Sequence, residues 1–303
     1  MMRRTRVPDV GDRTLITSEP RISIDGDKLE IKISKLRQDE LFALLKVGII
    51  SPDYVSHNLK ILDKLSDYDR EDYLINIDNV NLIGKCIKAK VPKDLLSLSK
   101  NKLMDQDNQN ALVKTLLKMF EEMCDDIAKA DYQVAYALLE LAKSSFKEVP
   151  YKITKTLFES KTIDLTSKRH VLQSVCENDS IDQETVELLV YFVQLNHTME
   201  FSCNNMGRTL ALNKSVKGNE LLKLLNLGIN ITSERIQKEK FDDNFVIACM
   251  AHKYEPLLRA LASNENIKDD FLEILTRDMS QEVRKAAENT LDKKHIPTLS
   301  MID

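Results

Sequence analysis

The sequence predicts a mainly α-helical fold, an α-solenoid of stacked helix pairs that follows a small N-terminal β-hairpin. Three observations support this prediction. Apolar residues recur at helical spacing through most of the 303-residue chain, of which 43% is hydrophobic. Glycine and proline are scarce, at seven each, which disfavours glycine-rich nucleotide folds and is typical of helices joined by short loops. Residues 261–291 show the pattern of one helix-turn-helix unit.

The first 34 residues differ from the rest of the chain. Residues 1–20 lack apolar periodicity and contain several arginines and two prolines, which predicts a basic, flexible arm. Residues 21–34 alternate apolar and polar side chains around Asp25-Gly26, the pattern of a β-hairpin. Because an isolated hairpin is marginally stable, we expect it to pack on the first helix, extend a partner's sheet or pair with a copy of itself.

Helix-start signals mark the next part of the chain. Ser51 is a predicted N-cap with Pro52 at the first helical position, and Asp131 is predicted to cap a later helix. Between them, residues 100–110 are wholly polar apart from Leu103 and Met104, which predicts a linker. The predicted organisation is therefore an arm at 1–20, a hairpin with a helical part at 21–105, a helical-repeat domain at 106–295 and a tail at 296–303.

The segment 261–291 places apolar residues on one side of each half. Its first half carries Leu261, Ile267, Phe271, Leu272 and Leu275, its turn is DMSQE, and its second half carries Val283, Ala286, Ala287 and Leu291. The second half resembles the second helix of HEAT repeats and of leucine-rich variant repeats. This resemblance implies that Ala286 and Ala287 allow close helix approach, and that Asp278 and Arg284 cap and bridge successive turns.

Three asparagines begin similar segments, two of them before residues 261–291 and one within them. Asn178, Asn213 and Asn264 are each followed, eight and eleven positions later, by apolar residues. The two intervals between them differ, so we expect an insertion or a degenerate unit between the last two, around residues 229–245. Residues 208–262 also resemble ankyrin helix pairs, but Arg208-Thr209-Leu210-Ala211 replaces the usual opening tetrapeptide, so a generic solenoid is the preferred prediction.

The sequence contains no recognisable catalytic, cofactor or metal site. Gly84-Lys85 is followed by Cys86 and lacks the first glycine of a phosphate loop. The five histidines are far apart and none has zinc-ligand spacing. The five cysteines form no CxxC pair and are interpreted as reduced core thiols. We therefore predict no catalytic residue, no bound cofactor and no metal ligand.

One segment concentrates positive charge. Its lysines are Lys85, Lys88, Lys90, Lys93, Lys100 and Lys102, and they are opposed only by Asp94. If they share a face they would contact phosphates, and binding would weaken steeply with salt. The alternative is a solvated helix face, favoured by the absence of interleaved aromatic residues and arginines.

Overall charge and hydropathy favour neither nucleic acid nor membrane. The net charge is −4 and the isoelectric point is near 5.9. The basic N-terminus has no apolar run after it, so we expect no secretory signal, and no segment is apolar for long enough to cross a bilayer. An intracellular, cytoplasmic and soluble protein is expected.

These observations favour a non-catalytic module for protein interaction or assembly, since stacked helix pairs expose an extended surface whose side chains can vary. The predicted partner-binding residues are Asn178, Arg208, Asn213, His252 and Lys253. The arm and hairpin are assigned to docking or to self-association into a homo-oligomer. A nucleic-acid-associated factor that uses the lysine segment is the alternative, and an enzyme with an unrecognised site is a third reading.

Overall fold

A computed structural model describes residues 22–25, 28–125, 131–196, 201–229 and 231–295, and within them the side chains of 31–124, 131–196, 204–229 and 231–295. This part of the chain is mainly helical, which confirms the α class. The predicted arm, residues 1–20, and the predicted tail, residues 296–303, lie outside the described residues.

The elements follow one another along the chain with short connections. In order they are β1 Ile22–Asp25, β2 Lys28–Ile31, α1 Gln38–Lys46, α2 Pro52–His57, α3 Asp67–Ile75, α4 Val80–Ala89, α5 Pro92–Ser99, α6 Gln106–Asp125, α7 Tyr132–Ala142, α8 Glu148–Glu159, α9 Leu165–Cys176, α10 Gln183–Asn196, α11 Phe201–Leu212, α12 Gly218–Asn226, α13 Ser233–Lys238, α14 Asp243–Ala251, α15 Glu255–Ala262, α16 Asp269–Leu275 and α17 Gln281–His295. Short 3-10 turns occupy Ile33–Lys35 and Leu59–Lys64. The chain divides into two compact units, 1–73 and 74–303.

In the first unit, the backbones of β1 and β2 pair antiparallel, with Ile22 opposite Ile31. Residues 26 and 27, the centre of the predicted hairpin, lie outside the described part, so the hairpin itself stays a prediction. Helix α2 begins as predicted, because the Ser51 hydroxyl accepts a hydrogen bond from the Tyr54 N–H at 3.2 Å and Pro52 occupies the first helical position.

In the second unit, helices pack against their chain neighbours and against the helix two further on. The even-numbered helices contact one another in succession from α4 to α14. The odd-numbered helices do the same from α5 to α11 and again from α13 to α17. Neighbours along the chain also touch, as in α6 with α7 and α16 with α17. Each helix therefore buries apolar surface on more than one side.

The core of this unit comes from stripes at helical spacing. On α6, Leu112, Leu116 and Phe120 are buried as predicted, and Met119 is half-buried. Helix α7 starts at the predicted cap, since the Asp131 carboxylate accepts a hydrogen bond from the Gln133 N–H at 2.9 Å. The apolar positions of α7 are fully buried, and they are Val134, Ala137, Leu138 and Leu141.

Buried asparagines join successive odd-numbered helices. Asn101, Asn178, Asn213 and Asn264 follow α5, α9, α11 and α15, and each is at most 7% exposed. The amide of Asn213 donates to the carbonyls of Cys176 and Asn178 at 2.8 and 2.9 Å, and the amide of Asn178 donates to those of Ala142 and Ser144 at 2.9 and 2.8 Å. Asn101 donates likewise to Leu74 and Ile77, and Asn264 to Ile236 and Glu239.

The third hydrogen bond of each asparagine side chain holds its own turn. The side-chain oxygen accepts a hydrogen bond from the N–H two residues later at 2.8 Å, as in Asn213 to Ser215 and Asn264 to Asn266. We call these four residues the asparagine links. A carboxamide suits the position because it offers two donors for the carbonyls and one acceptor for the turn.

An arginine replaces the asparagine in the unit of α12 and α13. The guanidinium of Arg235 donates to the carbonyls of Ala211 and Asn213 at 2.6 and 2.9 Å, and also to that of Val216. Arg235 is 7% exposed and its Nε lies 2.8 Å from a carboxylate oxygen of Glu239. Helix α13 is only six residues long and lies between Asn213 and Asn264, where the sequence predicts an insertion or a degenerate unit.

The structure differs from the sequence analysis in two places. Within residues 100–110, Asn101, Met104, Asn108 and Gln109 are buried, and the division between compact units falls after Tyr73. The domain boundaries drawn from the sequence stay a prediction. The first half of 261–291 is no single helix, because α15 ends at Ala262 and the turn around Asn264 separates it from α16. The helix pair of this segment is α16 and α17.

The asparagine links predict a large effect of a small truncation. Asn213→Ala leaves two buried carbonyls and one N–H without their partner and should lower the free energy of unfolding by about 1–3 kcal/mol. Urea unfolding monitored by circular dichroism measures the change. Asn226→Ala, at an exposed position that ends α12, is the control and should change stability by less than about 0.5 kcal/mol. Equal losses for the two variants would contradict the structural role.

Ala287 tests the packing of the last helix pair. Its side chain is fully buried on α17, which packs against both α15 and α16. Ala287→Glu forces a carboxylate into this contact and should lower the free energy of unfolding by more than about 2 kcal/mol. Asn289→Glu introduces the same charge at an exposed position two residues away and should cost less than about 0.5 kcal/mol. A loss below about 0.5 kcal/mol for Ala287→Glu would show that the faces of α17 are wrongly assigned.

Candidate functional site

Two surface grooves of the second unit contain residues that the sequence assigned to binding. The first, which we call the Met279 groove, has a volume of 780 Å³. It is formed by the end of α14, the start of α15, the end of α16 and the turn that follows. Its lining residues are Met250, Lys253, Glu255, Leu258, Ile274, Leu275, Arg277, Asp278, Met279 and Ser280.

Hydrogen bonds fix the turn that carries Met279. The Asp278 carboxylate accepts from the Ser280 N–H at 2.8 Å, and the Arg284 guanidinium donates to the carbonyls of Asp278 and Met279 at 2.7 and 2.9 Å. Asp278 and Arg284 thus both hold the turn that precedes α17. The Met279 side chain is nevertheless 99% exposed, and Ile274 beside it is 54% exposed. The turn therefore keeps the apolar Met279 side chain exposed to solvent.

The predicted partner-binding residues have different positions. Lys253 lines the Met279 groove, and the exposed His252 precedes it at the end of α14. Lys253 has a φ of 51°, in the left-handed region that disfavours residues other than glycine. Arg208 is exposed on α11 but does not line this groove.

Asn178 and Asn213 are corrections to the predicted binding surface. Both are buried, and their amides are occupied by backbone carbonyls of the preceding unit. They hold helices together and have no donor left for a partner. The sequence identified the repeated position but not its role.

The second groove lies between α4 and α6, and we call it the basic groove. It has a volume of 580 Å³ and contains Lys85, Lys88, Lys90 and Lys114. The other lining residues are Val80, Asn81, Gly84, Ile87, Asn108, Ala111 and Thr115, so it has no carboxylate. Lys93, Lys100 and Lys102 of the predicted segment do not line it.

Lys114 was missed because it belongs to a different helix from the lysine segment. It occupies an exposed position of α6, away from the buried stripe of Leu112 and Leu116, and the contact of α4 with α6 brings it to the basic groove. The helical pattern of α6 identifies Lys114 as a surface residue. Its grouping with Lys85 and Lys88 depends on tertiary packing.

An adjoining groove of 490 Å³ between α6 and α8 shares Lys114 with the basic groove. Its other lysines are paired, Lys118 with Glu122 at 3.9 Å and Lys152 with Glu148 at 3.6 Å. Hydrogen bonds from the amides of Gln106 and Asn110 lower the pKa of Glu148, and Lys152 acts in the same direction. The basic groove therefore differs from the adjoining one in that no carboxylate lines it.

The described residues contain no group of three metal-ligating side chains. Two buried cysteines favour their protonated form: desolvation raises the pKa of Cys176, and it raises the pKa of Cys249 to about 12. A thiol that stays protonated is a weak nucleophile. These two cysteines pack in the core, as the sequence predicted.

Comparison of the chain with protein-family models, with curated proteins and with solved structures finds no match. Among the described helices, none combines the length and the apolar character that crossing a bilayer requires.

A substitution at Lys253 is predicted to raise the free energy of unfolding, whereas most substitutions lower it. Lys253→Gly relieves the cost of a left-handed residue and should raise the free energy of unfolding by up to about 1 kcal/mol. Lys285→Gly, at an exposed position inside α17, should lower it by about 1 kcal/mol. Thermal and urea unfolding distinguish the two. Destabilisation by Lys253→Gly would mean that the lysine side chain makes a contact worth more than the backbone cost.

Proposed function

We propose that the chain is a non-catalytic protein-binding module, built as a solenoid of helix pairs from α4 to α17. The succession of contacts between alternate helices and the repeated asparagine links support the solenoid, because each unit is joined to its neighbours by the same bonds. In such a stack the outward side chains are free to vary without loss of packing.

The single observation that carries the proposal is the exposure of Met279 on a fixed turn. An apolar side chain in water contributes nothing to folding, and its burial by a partner is favourable. Methionine adapts to irregular apolar surfaces, which suits it to an interface. Ile274 and Leu258 extend the apolar lining into the groove.

The polar residues of the Met279 groove favour a protein partner over nucleic acid. Lys253 and Arg277 are accompanied by Glu255 and Asp278, so positive and negative side chains are balanced. A polyphosphate would be repelled by the two carboxylates, whereas a polypeptide can present both signs of charge. A protein segment with an apolar anchor and mixed flanking charges fits this chemistry.

Assembly through the N-terminal part is a second element of the proposal. Among the described strands, β1 pairs only with β2, so strand edges are available for pairing with another chain. This supports docking or self-association of residues 1–34, the assignment made from the sequence.

The proposal is tested by capture of proteins from a nuclease-treated lysate of the native cells. The variant is Ile274→Glu with Met279→Glu, two exposed positions at which charge should not disturb the fold. It should reduce recovery of bound protein about tenfold or more, as expected when apolar anchors of an interface are lost. The matched control is Leu195→Glu with Leu212→Glu, which are 53% and 57% exposed and lie outside the groove. Recovery that is unchanged in the groove variant, or lost after nuclease treatment of the wild type, would contradict the proposal.

A further inference from the structure

We propose that the basic groove binds the sugar–phosphate backbone of single-stranded nucleic acid, without reading its bases. This site involves different residues from the Met279 groove and does not depend on the protein-binding proposal. Four ammonium groups, those of Lys85, Lys88, Lys90 and Lys114, line one concavity that has no carboxylate.

These lysines are not neutralised by the described part of the chain. No ion pair or hydrogen bond joins the side chain of Lys85, Lys88, Lys90 or Lys114 to another described residue. Lys118 and Lys152, in the adjoining groove, differ in having carboxylate partners. Four like charges close together repel one another, and a polyanion that binds among them removes this repulsion while releasing its own counterions.

The form of the groove selects one strand. The helices α4 and α6 are in contact, and the basic groove is a concavity of 580 Å³ between them. A flexible single strand can follow such a concavity with its sugar–phosphate chain, whereas a duplex is stiff over about 150 base pairs and cannot bend into it without cost. A membrane surface is flat and would not enter the concavity. The chemistry of a flexible linear polyphosphate therefore fits best.

The lining residues also exclude base recognition. None of them is aromatic or arginine, so bases have no ring to stack on and no bidentate donor to bind. Binding should be electrostatic, independent of sequence and steeply dependent on salt. Four phosphate contacts correspond to a slope of about −2.8 in a plot of log affinity against log salt concentration for a single strand.

The backbone conformation of Lys90 is an independent observation in favour of a binding role. The position holds a positive charge although a lysine there is conformationally unfavourable. It follows α4 with a φ of 55°, a conformation that glycine adopts freely and a lysine does not. A non-glycine residue in this region is a reason to look for a function. Lys90→Gly separates stability from binding, because it should leave the fold no less stable while removing one cation from the groove.

The experiment measures fluorescence anisotropy of a labelled oligothymidylate and of a labelled mixed-base strand with the full chain, over a range of salt concentrations. The wild type should bind both strands similarly, with a slope of about −2.8, and bind a duplex of the same length more weakly. Lys88→Glu with Lys114→Glu should lower affinity at least about tenfold and reduce the slope to about −1.4, because two of four contacts are lost. Lys90→Gly should reduce the slope by about 0.7.

The matched control is Lys102→Glu with Lys285→Glu, which changes the net charge equally. Lys102 belongs to the same lysine segment but lies outside the groove, and Lys285 is exposed on α17. This pair should retain affinity within about twofold, since general charge alone contributes weakly at moderate salt. Circular dichroism of each variant checks that the helices are intact.

Several results would overturn the proposal. One is the absence of salt-sensitive binding to either strand by the wild type, and another is an equal loss in the control pair. Tighter binding of the duplex would contradict the single-strand geometry. Binding to phosphatidylserine vesicles that the groove variant abolishes, without any effect of that variant on oligonucleotide binding, would assign the groove to a membrane surface.

Discussion

The second unit depends on how the carbonyl groups at the ends of its odd-numbered helices are satisfied. The last carbonyls of any helix lack partners within that helix, and a buried carbonyl without a donor costs about 1–3 kcal/mol. Here the turn that follows the next odd-numbered helix supplies the donors: Asn178 bonds to the end of α7, and Asn213 bonds to the end of α9. Because one planar amide must meet two carbonyls and its own turn at once, each link fixes the position of one unit on the preceding one. Apolar packing supplies most of the stabilisation, and the links select the register.

The same constraint explains where other residues replace the asparagine links. Arg235 lies within the short helix α13 instead of following it, and the longer side chain reaches the carbonyls of Ala211 and Asn213 that an asparagine would have met. After α7 the equivalent position holds Ser144, whose hydroxyl still accepts from the Phe146 N–H but donates to the side chain of Gln109. At the end of the stack, Lys294 of α17 donates to the Ile267 carbonyl at 2.8 Å. The residue type changes, while the requirement to satisfy the backbone persists.

The helical class and the caps at Ser51 and Asp131 followed from local patterns, because periodicity and capping act over a few residues. The role of Asn178 and Asn213 did not follow. A polar residue repeated in one frame is compatible with an outer binding face and with an internal hydrogen bond, and only burial distinguishes them. The segment 100–110 resembles a linker because most of its residues are polar, but Asn101, Asn108 and Gln109 are buried and Asn101 is bonded to Leu74 and Ile77. The sequence grouped Lys85, Lys88 and Lys90 of the basic groove but not Lys114, because Lys114 joins them only through the packing of α6 on α4.

A framework held by side-chain bonds to backbone leaves its surface free for binding. The asparagine links use carbonyls that every residue type supplies, so the exposed positions of the helices can change without altering the register of the stack. Both grooves lie at such exposed positions, and each contains a lysine, Lys90 or Lys253, in a left-handed conformation that follows an even-numbered helix. Glycine would favour stability at both positions. A lysine nevertheless occupies both positions and lines a groove. Backbone strain of this kind persists where the surrounding structure compensates for it, and it is often found at functional sites. The two lysines therefore favour a binding role for both grooves.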